Sequence, residues 1–504
     1  MSSLASLPDE VLKLVMQHVS LKDRLTCCCL VSRKLHTAAV AATDGLRFGY
    51  DYKSSTYGIP WQQEAVTQCI SLYGQHLSSL EVNSLGARWP LLQQLPCHEL
   101  QELKMRECSV QLGAADGHQG VIQGCIKLTR LEVWCCNIID APEGAMVDSL
   151  SSLVHLQHLV VRGMIQGNHP SSDIDYLIGG LSDVTLPRLQ HLTYLELEGM
   201  NDQNLLQLQH LTCLKSVWIQ YAGDGAVGPS SVPGLVLPAS LTKLIMLSPV
   251  EAGMLSLVPA ELQGLHVECV VAGPSDGPGS LLSGMAHLQH LTELSLRTDD
   301  RLPWPPLGPA YSALTASSKL VNLELSGFNC PHRAWWCMFP AGRTLPHLTC
   351  LRLIGEEEDD PVAALVSPSW GAMDLFSLVS CCPRLSCIWG LPMQHGTHVS
   401  ELQRLTTLKV LDAYFDRADL ASFMRSVEGL SALTQLGNLW VSVDCLDLNV
   451  SALLPLTSLT DLTCFTLHNR FVDADFESEL KNLEFRSWPQ VCLDPRRYAS
   501  LQAE

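Results

Sequence analysis

Nowhere in this 504-residue sequence does an apolar run approach the ~18 consecutive residues that a membrane span needs, although apolar residues make up 47% of it. Charge is also sparse, at 16% of residues, and a chain this rich in apolar side chains has ample material to bury, which excludes overall disorder. Among 20 cysteines no Cys-x-x-Cys occurs, so the paired-ligand signature of structural zinc is missing. There is no phosphate-binding P-loop string, and no metal or cofactor is expected. The first ten residues, Met1 to Glu10, carry no basic stretch before an apolar run, so no signal peptide is expected. Basic residues are few and unclustered. Residues 1–48 hold six of the 32 Lys and Arg and four of the 51 acids, leaving 26 bases against 47 acids in the rest. A phosphate backbone is gripped by clustered Lys and Arg, so nucleic acid is excluded as a partner of that acidic remainder. An acidic surface favours solubility or a basic protein partner.

The cysteines are numerous for a chain of this size, and several adjoin: Cys27-Cys28-Cys29, Cys135-Cys136 and Cys381-Cys382. Adjacent cysteines make a poor disulfide framework, so they read as reduced, mostly buried thiols of a cytoplasmic or nuclear protein. Length alone would suggest about three domains, unless the core grows in one dimension as a repeat array does.

A repeat is present. The phrase Leu-x-x-Leu-x-Leu recurs from residue 77 onward, as in Leu77-Leu80-Val82, Leu128-Leu131-Val133, Leu192-Leu195-Leu197, Leu291-Leu294-Leu296 and Leu348-Leu351-Leu353. Sixteen candidate units can be placed, the last at Leu480-Leu483-Phe485, with starts 21 to 37 residues apart. Two units depart from the phrase. In Leu385-Ile388-Gly390 the third position is glycine, and the unit at Leu459-Leu462-Cys464 reads equally well as Leu462-Phe465-Leu467. The x-Leu-x-Leu half of each unit is a short strand whose two apolar side chains share one face. Stacked strands about 4.8 Å apart make a parallel sheet along a concave side, and the rest of each unit returns over the convex side as helix or irregular chain. Each inward apolar side chain contributes roughly 1.5–3 kcal/mol when buried.

Residues 77–487 therefore resemble the leucine-rich-repeat family, with features of its cysteine-containing subtype: Cys97, Cys125 and Cys382 stand three residues before a first Leu, and Cys108 and Cys136 eight after one. Upstream, residues 7–42 read as three short helices. Pro8 suits a first helical position, Asp9 and Glu10 suit the positive end of a helix, and Val11, Leu14, Val15 and His18/Val19 follow helical spacing. The string Leu7-Pro-Asp-Glu-Val-Leu12, with Val15, Val19, Asp23-Arg-Leu25 and Leu30-Val-Ser-Arg-Lys-Leu35, resembles the F-box, although Leu35 stands where that family often has Trp. The resemblance implies docking on a Skp-type adaptor, and through it a cullin, by way of Leu7, Pro8, Val11, Val15, Leu25 and Val31. The expected organisation is an F-box-like module at 1–48, a linker and cap helix at 49–76, a solenoid at 77–487 and a tail at 488–504. The fold class is α/β: a leucine-rich-repeat solenoid with a small all-helical module before it.

Strings that mimic catalytic motifs do not sit in the context the chemistry needs. Gly223-Asp-Gly225-Ala-Val-Gly228 matches a dinucleotide-binding glycine pattern, but Pro229 and Pro233 follow, so no helix N-terminus is available for a pyrophosphate. Gly273-Pro-Ser275-Asp-Gly277 matches a nucleophile elbow, but Pro278 follows. The pairs His155/His158, His287/His290 and His395/His398 lack the metalloprotease Glu, and the acidic run Glu356–Asp360 reads as a solvated loop. No catalytic residue is assigned.

Side chains four and six residues after each first Leu should point out of the sheet. Those rows hold Trp134, Trp218, Trp389, Tyr414 and Trp440, and large aromatics on an uncovered sheet face are the residues that dominate protein-binding hot spots. Trp389, Tyr414 and Trp440 belong to successive units and should form one patch around Asp412, an aromatic clamp open to a partner's Lys or Arg, unless residues 488–504 fold back over it. The expected function is non-enzymatic: a substrate-recruiting subunit of a cullin-type ubiquitin ligase that holds a protein substrate on the repeats. The alternative is a repeat scaffold outside any ligase, of cytoskeletal or axonemal type.

Overall fold

The computed structural model describes residues 7–19, 33–41, 45–48, 76–83, 88–89, 97–107, 109–111, 125–134, 136–139, 150–163, 165–166, 186–221, 225–274, 276–277, 279–299, 306, 308–327, 334–354, 372–393, 399–415, 420–443, 448–468, 476 and 490–493. The chain forms two compact units, one of Met1–Asp224 with Gly234–Leu241, the other of Gly225–Pro233 with Thr242–Glu504.

The first unit opens with the helices Asp9–Gln17 and Arg33–Ala41. Pro8 is the residue before the first helix, at φ −56° and ψ 150°, rather than its first residue. Its missing N–H costs nothing there, and Asp9 and Glu10 follow in the first turn, where the helix dipole favours negative charge. The helix has apolar residues on two faces. Leu12 and Met16 pack inward with Leu35, Ala38 and Ala39, and Leu7 and Val19 lie against that cluster. Val11 and Leu14 are 41% and 59% exposed. Val11 and Leu14 of the stripe that spacing picked out thus face outward, while Val19 at its end lies against a core built from its neighbours. Lys34 ties the helices together, donating to the Leu7 carbonyl at 2.8 Å and pairing with Asp9 at 3.3 Å.

Parallel strands make up the rest of that unit: Gly45–Phe48, Ser79–Asn83, Glu102–Arg106, Arg130–Trp134, His158–Arg162, Tyr194–Met200 and Ser216–Tyr221, each in register with the next. A second, smaller parallel sheet runs alongside, from Arg88–Trp89 through Ser109–Gln111 and Asn137–Ile139 to Ile165–Gln166. The phrase carried no signal for it. The other unit stacks Lys243–Glu251, Gly264–Val271, Glu293–Thr298, Asn322–Ser326, Cys350–Ile354, Cys387–Met393, Val410–Phe415, Asn438–Val443, Cys464–His468 and Gln490–Leu493 in the same parallel manner. Between its strands lie short α-helices, such as Ser280–Met285, Ala372–Cys381 and Leu420–Leu430, and 3-10 turns such as Ala252–Leu257 and Val450–Ser458. This is a leucine-rich-repeat solenoid. Its inward row is fully buried, with Leu80, Leu103, Leu131, Leu159, Leu195 and Val217 in one unit and Leu265, Leu294, Leu323, Leu351, Ile388, Leu411 and Leu439 in the other.

One contact recurs between repeats. The Gln263 carbonyl accepts the amide N–H of both Thr292 (2.7 Å) and Glu293 (3.0 Å) and also the Thr292 hydroxyl at 3.0 Å. The same arrangement joins Thr129 to Gln101, Thr193 to Gln157 and Thr463 to Gly437. A Thr directly after the first Leu therefore completes the coordination of a carbonyl from the preceding repeat, which accounts for the recurrence of Leu-Thr in the phrase.

Four expectations change. The ladder begins at Gly45–Phe48, inside the stretch expected to be helical module, with Leu46 buried and opposite Leu80. The unit near 459 takes the second of its two readings, Phe465 pairing with Leu439 and Leu467 with Val441. Gly390 is not an inward residue. The strand bulges there, and Leu391 takes the inward place opposite Ala413. Only glycine suits the bulge, because φ is +68° and a Cβ would lie 1.7 Å from the Leu353 carbonyl oxygen. Beyond Cys464–His468 the next strand is Gln490–Leu493, in register with it. So part of the expected tail extends the sheet; the unit expected at Leu480–Phe485 lies outside the described residues.

These contacts rank two substitutions in one repeat. Leu294→Ala should lower stability by roughly 2–5 kcal/mol, as a buried leucine leaving a cavity does. Thr292→Val should lower it by about 0.5–1.5 kcal/mol, the worth of one hydrogen bond. Urea denaturation of both variants checks the order, and equal losses would place Leu294 outside the core.

Candidate functional site

Three surfaces carry the residues singled out by sequence. On the helical module, Val11 is exposed, Pro8 is exposed, and Leu7 and Val15 are half-buried. Leu14, more exposed than Val11, belongs to the same outward stripe. Leu25 and Val31 lie outside the described residues.

In the first unit the open sheet face bears three rows of side chains set by strand register. Glu102, Arg130, His158 and Tyr194 form one row, Lys104, Glu132, Val160, Glu196 and Trp218 the next, and Asn83, Arg106, Trp134 and Arg162 the third. Opposite charges meet along and across the rows. Glu132 is buried and is held by Arg130 (2.6 Å), Arg106 (3.5 Å) and His158 (3.7 Å). Glu196, also buried, pairs with Arg162 and accepts the Tyr194 hydroxyl at 2.6 Å. Ion pairs to Lys104 and Arg130 and the Ser79 hydroxyl flank Glu102, and the Lys104 hydrogen bond is the main reason its carboxyl titrates below the usual range.

Through this network runs a stack of cations and rings. The Arg162 guanidinium lies 3.5 Å from the centroid of the Trp218 ring and 4.9 Å from that of Trp134, and Arg106 lies 5.0 Å from Trp134 on the same row. Such contacts contribute about 0.5–2 kcal/mol each, depending on solvation. Trp134 and Trp218 are thus half-buried among arginines rather than standing free. His158 stacks on Tyr194 with centroids 4.2 Å apart.

In the second unit, Trp389 and Trp440 meet at a centroid distance of 4.6 Å and an interplanar angle of 37°. They reach across the strand between them, where Asp412 is the register partner of Trp440. The two rings are in contact, so they make a closed aromatic surface and not the open clamp expected. The carboxylate of Asp412 is engaged too, accepting the Gly390 N–H at 3.2 Å in the bulge. Tyr414 stands one pleat further along that strand, opposite Ser442. Arg352, ion-paired with Glu324 at 3.5 Å, lies 5.8 Å from the Trp389 ring. The sequence rows put Trp389 on the open face but could not show the bulge that follows it.

Two described glycines of these strings, Gly228 and Gly273, lie against carboxylates. Gly228 packs against Glu251, which accepts the Ser230 N–H at 3.1 Å. Asp276 accepts the N–H groups of Gly253 and Gly273, tying a loop between repeats. A short helix does start after Pro278, at Ser280, later than an elbow would require; Ser275 is outside the described residues. His287 bonds the Val258 carbonyl and His290 the Lys319 amine, both structural uses, while His395, His398 and the acidic run 356–360 are not described. No group of three or more His, Cys, Asp or Glu side chains among the described residues is set to hold a metal ion, and no described helix is long and apolar enough to cross a membrane.

Comparison with known proteins bears on the module. Residues 4–40 match the F-box domain, the stretch that holds both helices of the Leu12–Met16 cluster. The chain joins an F-box to leucine-rich repeats. Among solved structures, it is similar to a leucine-rich-repeat protein of Leptospira interrogans at 12% identity, covering 84% of this chain and 91% of that one with a TM-score of 0.48. It is also similar to an internalin of Listeria monocytogenes at 15% identity, covering 76% and 86%, with a TM-score of 0.38. A search of curated proteins found no match. The register of the strands, not these likenesses, establishes the repeat fold that follows the F-box.

The face of the first unit gives a pH prediction. Burial is the main reason His158 titrates below 6.5, with Arg130 adding to it. A histidine depressed in the folded state leaves stability intact above its unfolded value, about 6.5. Stability then falls as pH drops below 6.5, because the unfolded chain binds the proton first. His158→Gln should remove this share of the acid sensitivity, so thermal midpoints of variant and wild type should converge between about pH 7 and 5.5. Parallel curves would show that His158 titrates as in water.

Proposed function

We propose that this chain is a substrate-recruiting subunit of a cullin-type ubiquitin ligase. Its F-box holds a Skp-type adaptor, and its repeats hold the protein to be modified; it performs no bond chemistry itself. The observation that carries the reading is the F-box match over residues 4–40, on a module whose first helix keeps Val11 and Leu14 outside after Leu12 and Met16 have filled the core. A two-faced apolar helix in so small a module is what a partner would cover, since about forty residues bury too little surface by themselves. Pro8, Val11, Leu14 and Val15 form the adaptor-facing stripe, with Leu7 as framework.

On the repeats, the substrate surface is the open sheet face, with the Trp389–Trp440 pair as its apolar anchor and Tyr414 beside it. Two half-buried indoles in contact offer a partner a wide rigid apolar area at small entropic cost. Trp134 and Trp218, engaged by Arg106 and Arg162, form a second, more polar contact area. The site of action is the cytoplasm or nucleus, in keeping with cysteines that form no disulfide among the described residues.

Affinity purification of the tagged full chain from cells is the test. A Skp-type adaptor and a cullin should co-purify, and Val11→Asp with Leu14→Asp should reduce their recovery at least tenfold while leaving the thermal transition unchanged. Absence of both proteins from the wild-type purification would overturn the ligase reading in favour of a scaffold outside any ligase. For the substrate face, Trp389→Ala with Trp440→Ala should weaken capture of the recruited protein by more than about 2 kcal/mol while adaptor recovery is retained. Undiminished capture would exclude the aromatic pair.

A further inference from the structure

The cysteines of this chain are not of one kind. Cys125, Cys136, Cys381 and Cys382 are buried and serve as small core residues. Burial pushes the Cys381 and Cys382 thiols up, and Cys381 donates to the Pro340 carbonyl at 3.2 Å. Cys350 and Cys387 are placed differently. They are the first residues of two neighbouring parallel strands and are register partners, so their side chains leave the same face side by side. Neighbouring strands lie about 4.8 Å apart, inside the roughly 4.4–6.8 Å Cα separation that a disulfide spans. Both are free and half-buried, on the open face and not in the core. Two residues further along the same strands, Arg352 stands opposite Trp389.

The two sulfurs also differ in proton affinity. A hydrogen bond from the Cys387 thiol, helped by the charge of Arg352, holds Cys350 down to about 7. That same bond, with burial, pushes Cys387 up. Arg352, on the strand of Cys350, favours the thiolate at that sulfur, which assigns Cys350 the attacking and Cys387 the resolving role.

We propose that Cys350 and Cys387 form a peroxide-sensitive dithiol that closes into a disulfide between two adjacent repeats. The Cys350 thiolate attacks one oxygen of hydrogen peroxide: an S–O bond forms, the O–O bond breaks, and hydroxide leaves and is protonated to water. Cys350 is then a sulfenic acid, oxidised by two electrons. The Cys387 sulfur attacks it, the S–S bond forms, the S–O bond breaks, and the hydroxyl departs with the Cys387 proton as a second water. Two thiols and one peroxide give one disulfide and two waters. The bond would cross-link the strands that carry Arg352 and Trp389, at the edge of the aromatic surface. It depends on neither the adaptor nor the substrate reading.

The test uses the full reduced chain. Its thiols are alkylated with iodoacetamide across pH and each site is followed by peptide mass mapping; Cys350 should react fastest at neutral pH with a midpoint near 7. Exposure to hydrogen peroxide should yield a Cys350–Cys387 linked peptide, lighter by two hydrogens and reversed by dithiothreitol. Cys387→Ser should leave Cys350 as a sulfenic acid trapped by dimedone, and Cys350→Ser should abolish both products. If Cys350 alkylates no faster than the half-buried Cys269, Cys337 and Cys464, or if peroxide links other cysteines in preference, the proposal is wrong. The alkylation profile needs no variant, so it decides even if a substitution perturbs folding.

Discussion

Each inward leucine of this chain is buried only because the strand on either side of it is in register. A parallel ladder supplies that register through backbone bonds, and here it is reinforced where one carbonyl takes two amide N–H groups and a threonine hydroxyl from the following repeat. The carbonyl has two lone pairs, and both are used here. Satisfying it from the next repeat couples neighbours side to side, so stability grows by addition along the stack. The inward positions are bound to this arrangement. The outward positions are not, and that freedom is what lets one fold carry a charged stack in one unit and an aromatic pair in the other.

The charged stack illustrates how little free charge a charged-looking surface can contain. Glu132 and Glu196 are buried, and burying a carboxylate is tolerable only when cations and hydroxyls surround it. Arg130 and Arg106 do so for the first, Arg162 and Tyr194 for the second. Arg106 and Arg162 also lie over Trp134 and Trp218, so the rings orient these cations while they neutralise the acids. A partner meeting this face encounters planar, already-paired groups, and gains from shape and ring area more than from net charge.

Much of the solenoid was legible because a strand with two buried positions has to repeat at period two. What the phrase could not convey lay where the period breaks or where two periods are equally good. Leu459 and Leu462 both fit, and only the pairing of Phe465 with Leu439 decides between them. Gly390 looked like a weak inward residue. It is a bulge, forced because the adjacent Leu353 carbonyl leaves no room for a side chain, and it moves the inward duty to Leu391. The first helix posed the same ambiguity in three dimensions, with Val11, Leu14 and Val15 at helical spacing on one side and Leu12 and Met16 on the other. Spacing identifies an apolar face but not which of two faces is covered. The strands at Gly45–Phe48 and Gln490–Leu493, each paired on one side among the described residues, lack the first Leu of the phrase, and end repeats are commonly atypical.

Function follows the same division between constrained and unconstrained positions. Of the aromatic residues read from the sequence, Trp389 and Trp440 converge because a bulge and an intervening short side chain, Asp412, let two large rings close over one strand. Their contact removes the slot that an isolated view of the rows would imply, and it substitutes an apolar plane. Cys350 and Cys387 sit where their strands begin, two residues upstream of Arg352 and Trp389. There, exposure and a cation decide what a thiol does, as burial decides it for Cys381 and Cys382. Identity of residue is therefore a weak guide on this fold, and row and exposure are strong ones. An outward cysteine beside an outward cysteine is a chemical site, whereas two inward ones are packing.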